Sequence, residues 1–382
     1  MELKLDKNKT YAIALEGGGA RGAYQVGAWQ ALEEAGIRYN AVSGTSVGSL
    51  NGAMFAMRDL KRAKEFWSNI RFSEVMRVDD ATMKCVFQKD FRELDLKSLF
   101  RTAVDTVRQG GFDVEPLRAL LREAIDANAV LASDVDFFLM TYSVTDHKEL
   151  DVEAKSLSPD ELYDMLLASA YFPAFKHEKL GGKLYTDGGV RDVVPVHSLT
   201  SRGYKDLIVM RLYGFGVERK FPMPKDVTVT TIAPTRELGQ VLNFSSEQSR
   251  FDMRLGYYDA QRTLYGLYGH NYYIDRTLDE QGAYELLRGM CKHRDATRTL
   301  RQIHEEALPA LADAADGKKG YYYDLFIAVL EGAASELKLD PFAIVTDTAL
   351  YDAVRKRTQS LCPDEMGPLC RYIPAPEGCD VL

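Results

Sequence analysis

The sequence predicts an α/β fold, a three-layer α/β/α arrangement with a mainly parallel central sheet, followed by a helical C-terminal extension. Near the N-terminus, a short apolar run, a glycine-containing turn and an amphipathic helical pattern follow one another twice. A strand joined to the next strand through a helix favours parallel pairing, with helices packed on the faces of the sheet. Beyond residue 275, strand-like runs largely cease and helical patterns dominate.

The two N-terminal repeats can be followed residue by residue. The first has a predicted strand at Tyr11–Glu16, four glycines between residues 17 and 22, and then a helix. The second has a predicted strand at Tyr39–Ser43 and the turn GTSVG, which leads into another helix. Apolar residues recur at helical spacing in both helices: Val26, Trp29 and Leu32 in the first, and Leu50, Ala53, Met54 and Met57 in the second.

Further elements follow with less regular order. Residues 60–130 are predicted to be mainly helical, and a helix is expected at Pro159–Phe172. We expect a domain at residues 1–275 that carries the chemistry, and a mainly helical region of unassigned role at residues 276–382. The predicted later strands are Asp136–Thr145, Lys183–Thr186, Asp206–Tyr213 and Asn271–Ile274.

Composition narrows the function classes. The chain has 382 residues, of which 46% are apolar and 27% are charged, as in ordinary globular proteins. A net charge of −8 argues against nucleic-acid binding and gives no general attraction to anionic lipid. The five cysteines form no CxxC pair, so neither a metal site nor a disulfide framework is expected. No leader or membrane span is recognisable, so we expect a cytoplasmic protein that can contact membranes peripherally.

The pentapeptide Gly44-Thr45-Ser46-Val47-Gly48 is the sharpest local signal. A serine hydroxyl is a weak nucleophile and must be exposed beside a base. A G-x-S-x-G turn between a strand and a helix holds the serine there, and Gly44 and Gly48 leave space across so tight a turn. The plain alternative is a glycine-bounded turn with an N-capping serine, and the strand-to-helix context favours the nucleophile elbow.

A glycine-rich segment, EGGGARG at residues 16–22, follows the first strand. Its backbone N–H groups could stabilise an oxyanion, and Arg21 could fix the loop or add positive charge. The segment also fits G-x-G-x-x-G, but the second strand lacks the acidic residue of a dinucleotide site. Ala23 and Tyr24 stand where a P-loop needs Lys and Ser or Thr. A purely structural glycine turn is the remaining alternative.

The third signal is Asp187-Gly188-Gly189 after the strand KLYT, an aspartate that can project into a site from a strand end. Alone, the Asp187-Gly188 dipeptide indicates no more than an ordinary turn. The histidines are at positions 147, 177, 197, 270, 293 and 304, and none has the context of a catalytic base. His197 and His270 follow Asp187 in the order that a Ser-Asp-His triad would require.

In combination, the three motifs resemble those of patatin-like phospholipases. EGGGARG, GTSVG and DGG follow in the family's order, and ASAYFPAF at residues 168–175 is similar to its segment before the aspartate. The resemblance covers about residues 10–275. It implies a catalytic dyad of Ser46 and Asp187, with Gly44 and Gly48 forming the elbow. It also implies that the oxyanion hole is formed by the backbone of Gly17, Gly18, Gly19, Ala20, Arg21 and Gly22.

The function that this resemblance implies is hydrolysis of phospholipid or acylglycerol esters through an acyl-serine intermediate, without metal or cofactor. Acyl transfer to alcohols, a catalytically silent lipid-binding protein on the same fold, and a triad esterase are the alternatives. We expect lipid contact through apolar surface near the site. The candidate residues in the helical stretch are Phe66, Trp67, Phe87 and Phe100.

Overall fold

The computed structural model describes residues 1–81, 83, 113–171, 175–176, 178–315 and 320–374. Two compact units divide the chain, one formed by Leu3–Leu264 and the other by Tyr265–Leu382 with Met1–Glu2. The sequence places a boundary near residue 276. The structure divides earlier because the strand at Tyr273–Asp275 pairs with a strand at Ile344–Thr346, within the C-terminal unit.

The unit of Leu3–Leu264 is built on a mixed sheet of seven strands in its described part. The strands are β1 (Thr10–Leu15), β2 (Arg38–Thr45), β3 (Asp136–Ser143), β4 (Lys148–Glu153), β5 (Tyr185–Asp187), β6 (Asp206–Met210) and β7 (Thr228–Ile232). The order across the sheet is β4-β3-β2-β1-β6-β7, and β5 pairs with β3. Neighbouring strands are parallel along the order β3-β2-β1-β6-β7, whereas β4 and β5 run antiparallel to β3.

Helices cover the sheet and connect its strands. They are α1 (Ala23–Glu34), α2 (Val47–Met57), α3 (Leu60–Asn69), α4 (Phe72–Val75), α5 (Glu115–Ala124), α6 (Ala127–Leu131), α7 (Pro159–Ser169), α8 (Val196–Thr200) and α9 (Ser246–Tyr265). Short 3-10 turns lie at Gly19–Gly22, Ala154–Ser156 and Gly188–Val190. Local chemistry fixes several helix starts. Ser158 and Glu161 form a capping box at α7, and the Asp59 side chain accepts the Arg62 N–H at α3.

Two neighbouring residues of β3 show that helices lie on both faces. Phe137 packs against Gly52 of α2 on one face of the sheet. Phe138 belongs to a buried cluster on the other face, with Leu199 of α8. Successive side chains of a strand point to opposite faces, so these contacts place α2 and α8 on opposite sides. The predicted three-layer fold with a mainly parallel sheet is confirmed.

The C-terminal unit is mainly helical in its described part. Its elements are β8 (Tyr273–Asp275), α10 (Glu280–Arg294), α11 (Leu300–Gln302), a π-helical turn (Ile303–Ala307), α12 (Leu308–Ala314), α13 (Tyr322–Glu336), β9 (Ile344–Thr346), α14 (Asp347–Gln359), and 3-10 turns at Pro363–Glu365 and Cys370–Tyr372. Leu287, Phe326, Leu330 and Val354 are fully buried in its core. Among the described residues, no helix is long and apolar enough to cross a membrane.

Helices α1 and α9 approach closely at two glycines. A Cβ placed on Gly27 would lie 1.8 Å from the carbonyl oxygen of Met253, and one on Gly256 would lie 2.0 Å from that of Tyr24. Both obstructing atoms belong to backbone, which cannot move without separating the helices. The two positions therefore require glycine for packing, although glycine weakens a helix by about 1 kcal/mol relative to alanine.

We predict that Gly27→Ala lowers the melting temperature by at least ~2–4 °C. This is the shift that corresponds to each kcal/mol lost from the free energy of unfolding in a domain of this size. The matched control is Gly289→Ala, also in a helix interior, where an added Cβ has no neighbour within 4 Å. The control should be neutral or stabilising, because only helix propensity changes. Thermal unfolding by circular dichroism compares the two, and equal melting temperatures would contradict the packing at Gly27.

Candidate active site

Ser46 lies on a tight elbow between β2 and α2. Its backbone has φ 56° and ψ −126°, a conformation that a non-glycine residue rarely adopts. Gly44 and Gly48 allow the turn: a Cβ on Gly44 would lie 2.2 Å from the Gly48 carbonyl oxygen, and one on Gly48 would lie 2.3 Å from that of Leu15. The elbow thus needs small residues at both positions, and it holds a serine in a strained conformation of the kind found at functional sites.

The register of the sheet brings Asp187 beside Ser46. Strand β2 pairs with β3 as far as Thr45, which faces Met140. Strand β5 continues along the same strand, with Asp187 facing Thr141. Ser46 therefore comes directly after the end of β2, and Asp187 is the last residue of β5, the strand that pairs with the next part of β3. This juxtaposition brings Ser46 and Asp187 together: both line the same cavity, and the Ser46 side chain is close enough to lower the pKa of Asp187.

The Asp187 carboxyl group is held in a desolvated position. Burial raises the pKa of Asp187 to about 6, while hydrogen bonds from the Ser46 side chain and the Gly189 N–H act in the opposite direction. The Gly189 N–H lies 2.8 Å from Oδ1. The Asp187 N–H donates to the Tyr171 carbonyl oxygen at 2.9 Å. A carboxylate in this state is oriented, close to a hydroxyl, and more basic than an exposed aspartate.

The glycine loop lies directly against Ser46. A Cβ on Gly17 would lie 3.2 Å from the Ser46 Cβ. The N–H groups of Gly17, Ala20 and Arg21 donate to the carbonyl oxygens of Val193, Val241 and Gly18. Those of Gly18 and Gly19 have no acceptor among the described residues, and both glycines line the cavity that contains Ser46. Of the segment Gly17–Gly22, these two N–H groups are the ones available to a ligand.

Two charged side chains, the buried Glu16 and the half-buried Arg21, fix the segment that packs on this loop, and sequence reasoning missed Glu16. The Glu16 carboxylate, 1% exposed, accepts the N–H groups of residues 212, 213 and 214 at 2.6–3.1 Å and pairs with Arg211. The Arg21 guanidinium donates to the carbonyl oxygens of Leu212, Tyr213 and Gly239. Arg21 therefore fixes the loop. The predicted strand Asp206–Tyr213 ends at Met210 because Glu16 captures the N–H groups that follow.

Ser169 is a second residue that the motifs did not identify. Its hydroxyl donates to the Met140 carbonyl oxygen at 2.6 Å and accepts the Ser46 N–H at 3.0 Å. It also lies 2.8 Å from the Ser49 hydroxyl. The hydroxyl thus ties the elbow to the end of β3. Helix α7 ends at Ser169, three residues before the predicted end at Phe172. Beyond it the chain turns, and the Tyr171 carbonyl oxygen accepts the Asp187 N–H. Residues 172–174 lie outside the described part.

The cavity at Ser46 is a narrow apolar slot of about 90 Å³ in the described residues, and we call it the Ser46 cavity. Gly18, Gly19 and Asp187 share it with apolar side chains, among them Phe66, Trp67, Ile70, Leu117, Leu121 and Phe215. Trp67 is fully buried and donates to Asn51, so among the candidates for lipid contact it belongs to the core instead. Phe66 is half-buried, and Phe87 and Phe100 lie outside the described residues.

A second, polar cavity of about 260 Å³ contains His197, away from the residues that line the Ser46 cavity. It is lined by Asp192, Glu149, Asp151 and Arg219 among others. The His197 ring packs on Phe221, and its Nδ1 has no partner in the described part. His270 belongs to the C-terminal unit, where its N–H donates to Glu331. No histidine of the described residues lines the Ser46 cavity, and no group of three His, Cys, Asp or Glu among them could hold a metal ion.

The fold and the site define an α/β protein with a serine on a strand-to-helix elbow beside a half-buried aspartate. The family model described as "Patatin-like phospholipase" matches residues 13–200, a range that includes the elbow, the aspartate and the whole glycine loop. This part of the chain is a patatin-like phospholipase domain.

Several curated proteins are similar to parts of this chain. "Patatin-like phospholipase domain-containing protein 6" of Homo sapiens is 44% identical over 78 residues, which is 19% of this chain and 6% of that protein. "Lysophospholipase NTE1" of Cryptococcus neoformans is 24% identical over 204 residues, 52% of this chain and 11% of that protein. The chain thus spans only a small part of these relatives.

Two solved structures are also similar. VipD from Legionella pneumophila is 14% identical with a TM-score of 0.43, covering 92% of this chain and 80% of that one. The type III effector protein ExoU is 13% identical with a TM-score of 0.30, covering 93% of this chain and 71% of that one.

The Asp192 carboxyl group yields a stability prediction. It is 1% exposed, and burial raises its pKa to about 7. The folded state therefore keeps a proton that the unfolded state loses near pH 4, so stability falls as pH rises from about 4 to 7. We expect Asp192→Asn, which cannot ionise, to gain melting temperature relative to wild type between pH 5 and pH 8.

The control for this measurement is Asp226→Asn. Asp226 is exposed, and the Lys205 ammonium lowers its pKa, so its protonation does not change above pH 5. The melting-temperature difference between this variant and wild type should be the same at both pH values. An equally constant difference for Asp192→Asn would show that Asp192 is ionised throughout.

Proposed function

We propose that the protein is a lipid acyl hydrolase in which Ser46 attacks a carboxylic ester and Asp187 accepts its proton. The observation that carries the proposal is the juxtaposition of Ser46 and Asp187, which line one apolar slot with the Ser46 side chain close enough to lower the pKa of Asp187. A serine needs an adjacent base to become nucleophilic, and the half-buried Asp187 carboxylate is in that position. Membership of the patatin-like phospholipase family supports lipid esters as the substrate class.

The first chemical step forms an ester between Ser46 and the acyl group. As Oγ bonds to the ester carbonyl carbon, its proton moves to Asp187 and the carbonyl oxygen gains negative charge. The N–H groups of Gly18 and Gly19 are the proposed donors to that oxyanion, because they line the cavity and are free of other acceptors. One such donor is typically worth about 10²–10³ in rate. The alkoxide leaving group takes the proton from Asp187 and departs as the alcohol.

Water completes the reaction by the same route. Asp187 accepts a proton from the water that attacks the acyl-Ser46 ester, and the acid is released as Ser46 recovers its proton. An ordinary aspartate is a weaker base than imidazole. The pKa of Asp187, raised to about 6, brings its basicity closer to that of imidazole and favours proton transfer from Ser46 and from water at neutral pH. The apolar walls around Phe66, Leu117 and Leu121 favour an alkyl chain as the acyl part. Neither step needs a metal or a cofactor.

We expect Ser46→Ala to lose ester hydrolysis by about 10³-fold or more, and to lose labelling by a fluorophosphonate probe, because the attacking oxygen is absent. Ser156→Ala is the matched control, since Ser156 is exposed and its hydroxyl only donates to the Glu153 carbonyl oxygen. Hydrolysis of a p-nitrophenyl ester and probe labelling are the measurements. Undiminished activity in Ser46→Ala would remove the proposed nucleophile, and a folded wild type that never reacts would favour the silent lipid-binding alternative.

Asp187→Asn should lower kcat/KM by about 10²–10⁴, because the amide keeps the shape but cannot accept the proton. In the wild type, kcat/KM should rise with pH through about 6, since the carboxyl group must be ionised and burial raises its pKa to that value. Below this pKa the rate should fall about tenfold per pH unit. His197→Ala and His270→Ala should stay active; a dead variant of either histidine, with Asp187→Asn active, would favour the triad esterase.

A further inference from the structure

Four exposed apolar side chains lie on two segments that reach the Ser46 cavity through Phe215, and we call them the apolar rim. They are Val190, Tyr213, Phe215 and Val217, with exposed fractions of 41%, 58%, 70% and 54%. The two segments that carry them are hydrogen-bonded to each other: the Val217 N–H donates to the Gly189 carbonyl oxygen at 2.8 Å. Adjoining exposed apolar residues of this size are unusual unless they contact something.

The apolar rim is continuous with the proposed active site. Phe215 is largely exposed and also lines the Ser46 cavity together with Asp187. Val190 lies three residues after Asp187 in the chain, beyond the turn at Gly188 and Gly189. An alkyl chain that leaves a lipid aggregate at this point would pass from the rim to the apolar slot without crossing water.

The backbone that carries the rim is held rigidly. The Glu16 carboxylate binds the N–H groups of Leu212, Tyr213 and Gly214, and the Arg21 guanidinium binds the carbonyl oxygens of Leu212 and Tyr213. Both charged groups give up hydration to make these contacts. A segment fixed by two partly or fully buried charges keeps its apolar side chains in water, which is the arrangement expected of a docking surface.

Charge around the rim favours an uncharged lipid surface over an anionic one. Arg211 pairs with Glu16 and Glu218, and Arg219 pairs with Glu149 at 3.1 Å. Two further cations near the rim in the chain, Arg191 and Lys220, have no ion-pair partner in the described part, and Arg191 lies over the Tyr142 ring. Two such cations do not form a cluster, and the chain as a whole carries a net charge of −8. Attraction to anionic headgroups needs clustered, uncompensated Lys and Arg. Apolar contact is then the main source of affinity.

We propose that Val190, Tyr213, Phe215 and Val217 form the surface on which the protein docks to a lipid aggregate, so that an acyl chain enters the cavity at Ser46. The inference rests on the proposed function for its meaning, but the docking can be measured without any hydrolysis. Each fully buried side chain of this kind contributes about 1.5–3 kcal/mol, so partial insertion of two is sufficient for a measurable effect.

The test uses the full chain and the variant Tyr213→Ser/Val217→Ser, which spares the residues that line the cavity. The matched control is Tyr321→Ser/Val229→Ser, whose parent side chains are 69% and 39% exposed and lie outside the rim. Binding to phosphatidylcholine vesicles is measured by co-sedimentation at low and high salt. Hydrolysis of a short, water-soluble p-nitrophenyl ester and the oligomeric state are measured in parallel.

The rim variant should bind vesicles at least about tenfold more weakly than wild type, which corresponds to about 1.4 kcal/mol. It should hydrolyse the soluble ester within about twofold of wild type, and the control should match wild type in both assays. Wild-type binding should survive high salt, because apolar contacts are not screened.

Three outcomes would contradict the proposed docking surface. The wild type does not bind these vesicles, the rim variant binds them as well as wild type, or the only change in the rim variant is the loss of a dimer. The last would identify the rim as an interface between copies. Failure of the proposed function has a different signature, since wild type would then bind vesicles but leave the soluble ester intact.

Discussion

The stagger between β2 and β3, two strands of eight residues each, is the constraint on which the site depends. Strand β2 stops at Thr45 opposite Met140, and β3 continues for three more residues. The free edge of those residues accepts the short antiparallel strand β5, whose last residue is Asp187. Strands β2 and β5 end opposite neighbouring residues of β3, Met140 and Thr141. Ser46, which follows β2, therefore lies beside Asp187, which ends β5. A one-residue change in either register would turn one side chain to the opposite face of the sheet.

Buried carboxylates organise the loops in both units. Glu16 accepts three consecutive N–H groups at Leu212, Tyr213 and Gly214. In the C-terminal unit, Glu331 accepts those of His270, Asn271 and Tyr272. A loop has no strand or helix partners for its N–H groups, and a single carboxylate can satisfy several of them. In the first unit this segment also carries Phe215, an exposed side chain that lines the Ser46 cavity.

Two aspartates five residues apart, Asp187 half-buried and Asp192 buried, have different surroundings. Asp187 accepts the Gly189 N–H and lines the apolar slot beside Ser46, with a pKa raised by burial to about 6. Asp192 faces the polar cavity near His197, and burial together with the Glu149 charge raises its pKa to about 7. The backbone of Asp192 nevertheless supports the elbow, because its carbonyl oxygen accepts the Thr45 hydroxyl at 2.8 Å. Desolvation therefore raises the pKa of both carboxyl groups, beside a serine in one case and beside a polar cavity in the other.

The sequence by itself determined the elements and motifs that depend on local chemistry. The repeated strand, glycine turn and helix predicted the sheet, and the spacing of Gly44, Ser46 and Gly48 predicted the elbow, because steric limits on a tight turn act within a few residues. Only the tertiary structure decided what depends on distant partners. Glu16 reaches residues almost two hundred positions away, and Trp67 is buried by its neighbours. Val193 and Val241 accept the N–H groups of Gly17 and Ala20, while those of Gly18 and Gly19 have no acceptor in the described part of the chain. Such pairings follow from sheet register and packing, which no local pattern records.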